Sequence, residues 1–245
     1  MVNIEKLEED NIPQSIGIIM DGNRRLAKRF GEDPWKGHEY GVKKGYKVLD
    51  WCEELGIKYI TLYAFSTENF NRPEKEFNMI MDLFDQEFKD IANNKDHKAH
   101  RTETKIKVIG RKEKLPERVQ KSIKEAEEAT KDYDKFFLNI AIAYGGQQEI
   151  TDGCKNIVDK VKKGEIDPEN VDKELISHNL YFDENFPYPD LIIRTGGEKR
   201  LSNFLLWESA YSELFFVDQM WPEFEKEKFL SIIESFQERQ RRFGR

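Results

Sequence analysis

The sequence predicts a single α/β domain built on a mostly parallel sheet of about six strands flanked by helices. Three observations carry this reading: six short apolar runs, longer amphipathic stretches between them, and no break in composition along 245 residues. The runs are SIGIIM (15–20), KYITLYAF (58–65), KIKVIG (105–110), FFLNIAIA (136–143), DLIIR (190–194) and ELFFV (213–217). Several lack polar alternation, as strands covered on both faces do. After the first run, RRLAKRFG reads as helix. From 73 to 94, Phe77, Ile80, Met81, Phe84, Phe88 and Ile91 recur at helical spacing. Pro73 opens that helix and Pro116 the next, since a first-turn proline gives up no needed N–H. No repeat or low-complexity linker divides the chain. One domain over 1–245 follows, with 1–14 as an N-terminal extension and 239–245 as an arginine-rich tail.

Composition narrows the function. Charged residues make up 36% and hydrophobic ones 38%, and the net charge of -7 argues against a general nucleic-acid binder. Cys52 and Cys154 are far apart and form no CxxC pair, so neither a disulfide framework nor a structural zinc site is expected. The acidic start MVNIEKLEED does not read as a signal peptide, and no apolar run reaches the ~20 residues of a membrane span. A soluble cytoplasmic protein is the expectation.

Open parallel sheets bind ligands beyond the carboxyl ends of their strands. Those ends read DGNRR (21–25), STENFNRP (66–73), YGGQQ (144–148) and TGGEKRLSN (195–203). Glycines admit close backbone approach, and Arg25, Arg72, Arg194 and Arg200 supply planar forks for phosphate oxygens. Each piece has a plainer alternative: DGN as a hairpin turn, TGG as a tight turn, His38 as structural, the Phe77–Ile91 stripe as core. Together at strand ends they favour phosphate binding. No GxxxxGKS or GxxxxGKT loop, no GxGxxG and no Asp-Asp-x-x-Asp motif is present. Residue chemistry alone reaches an α/β protein that binds one or two phosphorylated ligands with a divalent ion.

MDGNRR, GHEYG, LYAFSTENFNRP, NIAIAYGG, IIRTGGEKRLSNFLLWESAYSEL and ERQRRFG, in this order from Ile16 to Gly244, resemble the cis-prenyltransferase family. The resemblance implies a hydrophobic tunnel between sheet and helices, a homodimer, and magnesium. It implies condensation of isopentenyl diphosphate onto an allylic primer, geranylgeranyl or farnesyl diphosphate, giving a long Z-polyprenyl diphosphate for glycosyl-carrier lipids. Product release implies peripheral membrane contact, with no nucleic-acid partner. Asp21 would be the catalytic carboxylate and a magnesium ligand. Gly22, Asn23, Arg24, Arg25 and Leu26 would line the allylic diphosphate site, with His38 and Arg72 nearby. Ser66, Thr67, Glu68, Asn69 and Phe70 match the loop beside the reacting carbons, Asn69 as a catalytic residue that orients substrate. Arg194, Arg200, Leu201 and Ser202 match the isopentenyl diphosphate site, Glu213 a second magnesium contact, and Arg239, Arg241 and Arg242 a tail that reaches a neighbouring active site. The common bacterial pattern has glycine where Arg24 stands, tryptophan where Leu26 and Phe70 stand, arginine where Gln147 stands and histidine where Lys199 stands. An arginine is also replaced around Pro34, which points to Arg24 or Lys36 for redistributed phosphate contacts. The alternative function is a non-catalytic partner subunit of such a synthase. A nucleotide or sugar-phosphate module is disfavoured by the missing phosphate loops.

Overall fold

The structure, a computed structural model, describes Leu7, residues 11–182 and residues 186–239. Most of the expected N-terminal extension, and Arg241 and Arg242 of the tail, lie outside the described residues. Six strands form one sheet: β1 (Ser15–Ile19), β2 (Tyr59–Ser66), β3 (Thr104–Ile109), β4 (Phe136–Tyr144), β5 (Leu191–Arg194) and β6 (Glu213–Phe216). Each falls within a residue of its apolar run. The order is β3-β4-β2-β1-β5-β6, and every neighbouring pair is parallel. Every residue of β1 and β5 is buried, which explains their unbroken apolar sequence.

The helices are α1 (Asn23–Arg29), α2 (Lys36–Glu54), α3 (Glu74–Asn93), α4 (Lys98–Arg101), α5 (Glu117–Ala129), α6 (Gly146–Lys162), α7 (Lys173–His178) and α8 (Lys226–Glu238). Pro73 and Pro116 stand one residue before α3 and α5, at the cap rather than in the first turn. Either place spares a ladder hydrogen bond. The periodic stripe of α3 divides its work. Met81 is fully buried core, whereas Phe77 packs on Phe65 and Phe70.

Strand order sets the site. The chain runs outward from β1 to β2 and on to the edge strand β3, returns to place β4 between β2 and β3, then jumps across β1 to β5 and β6. Strands far apart in sequence therefore end side by side at β1, where ligands of parallel sheets gather. α1 and α2 close over this edge because α2 presents glycines. A Cβ on Gly37 would lie 2.0 Å from the Asn23 carbonyl oxygen, and one on Gly41 2.6 Å from Asn23 Oδ1.

Candidate active site

Asp21 stands two residues past the end of β1 and is followed by Gly22 at φ 109°, a left-handed turn that launches α1. A side chain at Gly22 would also strike Met220, with Cβ atoms 2.7 Å apart. The Asp21 backbone is pinned: its carbonyl accepts from Thr195 Oγ1 at 2.8 Å and from the Trp221 N–H at 2.9 Å. Its carboxylate is held between two arginines on separate elements. Oδ1 lies 3.2 Å from Arg25 Nη2, and Oδ2 accepts from Arg194 Nη2 at 3.0 Å.

Arg194, at the end of β5, is 5% exposed. Its Nη1 donates to the Arg200 carbonyl at 2.5 Å and to Ser202 Oγ at 2.6 Å. Its buried Nε has no hydrogen-bond partner among the described residues. The loop that folds back onto Arg194 is strained: Ser202, Asn203 and Leu205 have φ of 50°, 66° and 44°. Asn203 fastens it, its carbonyl accepting from the Gly146 N–H at 2.7 Å and its Oδ1 from the Gln147 N–H at 2.8 Å.

On the other side stands a cationic group around one carboxylate. Glu76, 4% exposed, takes Arg72 Nη1 at 2.8 Å and Arg24 Nε at 3.2 Å, with His38 Nε2 at 3.5 Å. The His38 contact and then the two arginines hold the Glu76 carboxyl below the usual glutamate range, against its burial. Burial pushes His38 below the usual histidine value. This places an uncharged imidazole beside Arg72 at neutral pH. The sequence reading missed Glu76. The available signal was its four-residue spacing from Arg72 at the start of a helix.

Ser66 and Asn69 form a capping box on a 3-10 turn over Thr67–Asn71, with the Ser66 N–H donating to Asn69 Oδ1 at 3.1 Å. The carboxamide oxygen is thus committed to the backbone. Glu68 Oε1 accepts from Asn203 Nδ2 at 3.3 Å, tying this turn to the β5 loop. Burial pushes the Glu68 carboxyl up, but hydrogen bonds from its own backbone, Ser66, Asn203 and Thr67 outweigh this and hold it low.

These groups ring the mouth of a cavity of about 970 Å³ between the sheet and α2 and α3. Its wall includes Asp21, Gly22, Asn23, Arg24, Arg25, His38, Ser66, Glu68, Asn69, Arg72, Arg194, Arg200 and Ser202. Beyond them the wall turns apolar, with Leu62, Ile80, Phe84, Phe88, Ile91 and Ile140. At the far end, Tyr46 Oη donates to Glu87 Oε2 at 2.7 Å and lies 2.8 Å from His97 Nε2.

Six residues named from the sequence for this site are not on that wall, among them Lys36, which lies 3.9 Å from Glu39 instead. Leu26 is on the buried face of α1, Thr67 lies in the turn, Phe70 packs on Phe65, and Leu201 packs against the core cluster that includes Tyr63, Tyr144 and Phe204. Glu213 departs furthest. It opens β6 in register with Leu191, which pairs with Ile16, so it stands at the amino end of the sheet. Asp21 lies five residues of strand rise away, roughly 16 Å. Within one chain Glu213 and Asp21 do not meet, and Glu213 pairs with Arg239 instead. Among the described residues, no three His, Cys, Asp or Glu side chains gather as a metal site. No helix among them is long and apolar enough to cross a membrane.

A family described as "Putative undecaprenyl diphosphate synthase" matches residues 19–244. The tritrans,polycis-undecaprenyl-diphosphate synthase (geranylgeranyl-diphosphate specific) of Methanocaldococcus jannaschii is 55% identical over 98% of this chain and 86% of its own length. The synthase of the same description from Thermococcus kodakarensis is 52% identical over 99% of this chain and 90% of its own. Among solved structures, lavandulyl diphosphate synthase from Lavandula x intermedia, in complex with dimethylallyl diphosphate, superposes with a TM-score of 0.89 at 32% identity. It covers 96% of this chain and 100% of that one. A probable undecaprenyl diphosphate synthase from Campylobacter jejuni gives 0.77 at 32% identity, with the same coverage. With an arginine-ringed mouth, an apolar cavity behind it and a family match over nearly its whole length, the chain belongs to the undecaprenyl diphosphate synthase family of prenyltransferases.

Proposed function

We propose that this protein is a cis-type polyprenyl diphosphate synthase that extends geranylgeranyl diphosphate with isopentenyl diphosphate units into a long Z-polyprenyl diphosphate. The observation that carries the reading is the Asp21 carboxylate clamped between Arg25 and Arg194 at the mouth of an apolar cavity. A condensation of two diphosphates needs two anion-binding pockets that meet at the reacting carbons. Arg24, Arg25, Arg72 and His38 take the allylic head group, and Arg194, Arg200 and Ser202 take the homoallylic one. The isopentenyl double bond attacks the allylic C1, the C1–oxygen bond breaks to release diphosphate, and the proton on the former isopentenyl C2 passes to a diphosphate oxygen or through the Ser66 hydroxyl. The arginines oppose the charge that develops on the departing diphosphate. Asn69, its oxygen held by the Ser66 N–H, orients substrate rather than taking the proton. The lengthening hydrocarbon follows the apolar wall, and each buried methylene stabilises by roughly 0.8 kcal/mol.

The Asp21 carboxylate, at a mouth of phosphate-binding groups, fits magnesium, which favours one or two carboxylates plus substrate oxygens and retained waters. Asp21 would hold it, and the ion would neutralise the leaving diphosphate. Each Asp21 oxygen has a second lone pair free for this beside its arginine. A homodimer accords with β6, an edge strand on which Leu214 is exposed, and with exposed Tyr211 in the turn before it. It also accords with the Glu213–Arg239 pair, which lies too far from its own Asp21 to serve it. The product's hydrocarbon suits a peripheral membrane contact for release from a cytoplasmic enzyme.

The test is incubation with labelled isopentenyl diphosphate, magnesium and each allylic primer in turn. Polyprenyl diphosphate formed best from geranylgeranyl diphosphate supports the reading. Absence of product with every primer rejects it in favour of a partner subunit. The two-pocket assignment predicts that Arg200→Lys raises the KM for isopentenyl diphosphate, costing about 1.5–3 kcal/mol as one charge-assisted hydrogen bond is lost. Allylic affinity, measured by equilibrium binding, should move much less; equal weakening of both substrates would sink the assignment.

A further inference from the structure

Behind the Ser202 side of the site, two glutamates are buried without a counter-cation. Glu149 lies in the first turn of α6 and is 0% exposed; Glu208 follows the strained loop and is 2% exposed. Their hydrogen bonding differs. Glu149 accepts from the Tyr144 hydroxyl and, through Oε1, from the Tyr181 N–H at 2.9 Å. Glu208 has no hydrogen-bond partner for either oxygen among the described residues, beyond a weak contact with its own backbone. A donorless ionised carboxylate in the interior would cost several kcal/mol. Glu149 is therefore the ionised member and Glu208 the neutral acid.

The titratable groups facing the pair are tyrosines: Tyr144 from β4, Tyr63 from β2 behind it, and Tyr181. Beyond Tyr181 lies the closed Arg111–Asp152 pair. No lysine, arginine or histidine among the described residues pairs with either glutamate.

What the pair supports is specific. The first turn of α6 carries Glu149 and also donates the Gly146 and Gln147 N–H groups to Asn203. Asn203 adjoins Ser202, whose hydroxyl accepts from Arg194, and Tyr63 Oη donates to the Ser202 carbonyl at 3.2 Å. Three left-handed residues in this loop persist only while their surroundings hold them. Glu208 stands three residues after the last of them.

We infer that Glu208, buried without a donor, is kept protonated beside an ionised Glu149 and so acts as a positioning element. Loss of that proton puts a charge with no donor into the interior and loosens the loop that aligns Ser202 and Arg194. The inference rests on the reading that this loop serves isopentenyl diphosphate. Burial, and then the Glu149 charge, push Glu208 well above the usual glutamate range, to about 8. Burial pushes Glu149 up as well, against its donors. The sign follows: the folded protein keeps a proton that the unfolded chain releases above the ordinary glutamate value. Stability therefore falls as pH rises from that value to that of Glu208, and levels off above it.

The test compares wild type with Glu208→Gln, a neutral mimic of the protonated acid, from neutral to about pH 9. Wild type should lose affinity on the alkaline side, its KM for isopentenyl diphosphate rising roughly 5-fold with little change in kcat. Glu208→Gln should match wild type at neutral pH and remain flat, while the allylic KM follows the same course in both proteins. The midpoint of thermal unfolding should fall with pH in wild type and less in the variant. Identical alkaline profiles in the two proteins overturn the inference, and so does a difference confined to the allylic primer. If Glu208→Gln does not fold, Glu208→Met replaces it: greater stability than wild type at alkaline pH supports the pair, and lower stability at every pH overturns it. Absence of turnover in wild type at any pH defeats the proposed function instead, and the unfolding midpoints then decide the pair alone.

Discussion

Asp21→Ala should lower turnover by at least about 100-fold while leaving the fold intact, the scale expected when one preorganised electrostatic element is removed. The carboxylate is about one-third exposed, and its backbone contacts do not depend on the side chain. Arg194 loses an ionic partner but keeps the Arg200 carbonyl and the Ser202 hydroxyl, so it stays in place. Both freed arginines remain able to grip diphosphate. On the proposed role of Asp21, acting on charge that develops as the carbon–oxygen bond breaks, the loss should therefore fall on kcat rather than on substrate binding. Rate measurements at saturating magnesium, with equilibrium binding of each substrate and a circular-dichroism melt, separate these effects. Near-normal turnover would remove Asp21 from the mechanism.

Glu76→Ala should be the most destabilising single change at the site, by about 3–5 kcal/mol, the cost of breaking a buried ion pair by deleting one partner. Glu76 is the carboxylate on which Arg24, Arg72 and His38 converge, and its loss leaves two guanidinium groups facing each other. Added pyrophosphate should restore more stability to the variant than to wild type, since the anion replaces the missing charge. The pH dependence has a definite sign. A carboxyl held low in the folded state contributes stability above the ordinary glutamate value and loses it as pH falls through its folded value. Wild type should show this acid-side loss, and Glu76→Ala should lack that part of it. Equal stability of the two proteins in chemical denaturation would refute the structural role.

The family resemblance and the periodic apolar pattern made much of the protein legible. All six strands lie within a residue of their apolar runs, because burial on both faces of a parallel sheet leaves an unbroken local signal. The α3 helix was equally clear, since its apolar spacing is written within twenty residues. The residues at strand ends were legible because parallel strands place their carboxyl ends on one rim, and MDGNRR, STENFNRP and RTGGEKRLSN sit there whatever the strand order. The sequence by itself thus determined the fold class, the family and which segments reach the rim.

Tertiary structure decided which side chains meet. The jump across β1 brings Arg194 to Asp21, residues 173 positions apart. It leaves Glu213 at the opposite end of the sheet, because β6 begins where its neighbours begin. Glu76 looked like one more solvated glutamate of an acidic helix start, and only the closure of α1 and α2 over it turned it into the centre of the cationic group. Leu26 and Phe70 belong to motifs on the rim yet point into packing, since neighbours in sequence face different ways on a helix or turn. Glu149 and Glu208 carry no local signal at all: their burial comes from α6 and the β5 loop closing on each other. Local patterns record how each segment hides its apolar face. The pairing of polar groups across elements is set by strand order and helix closure, which no single segment encodes.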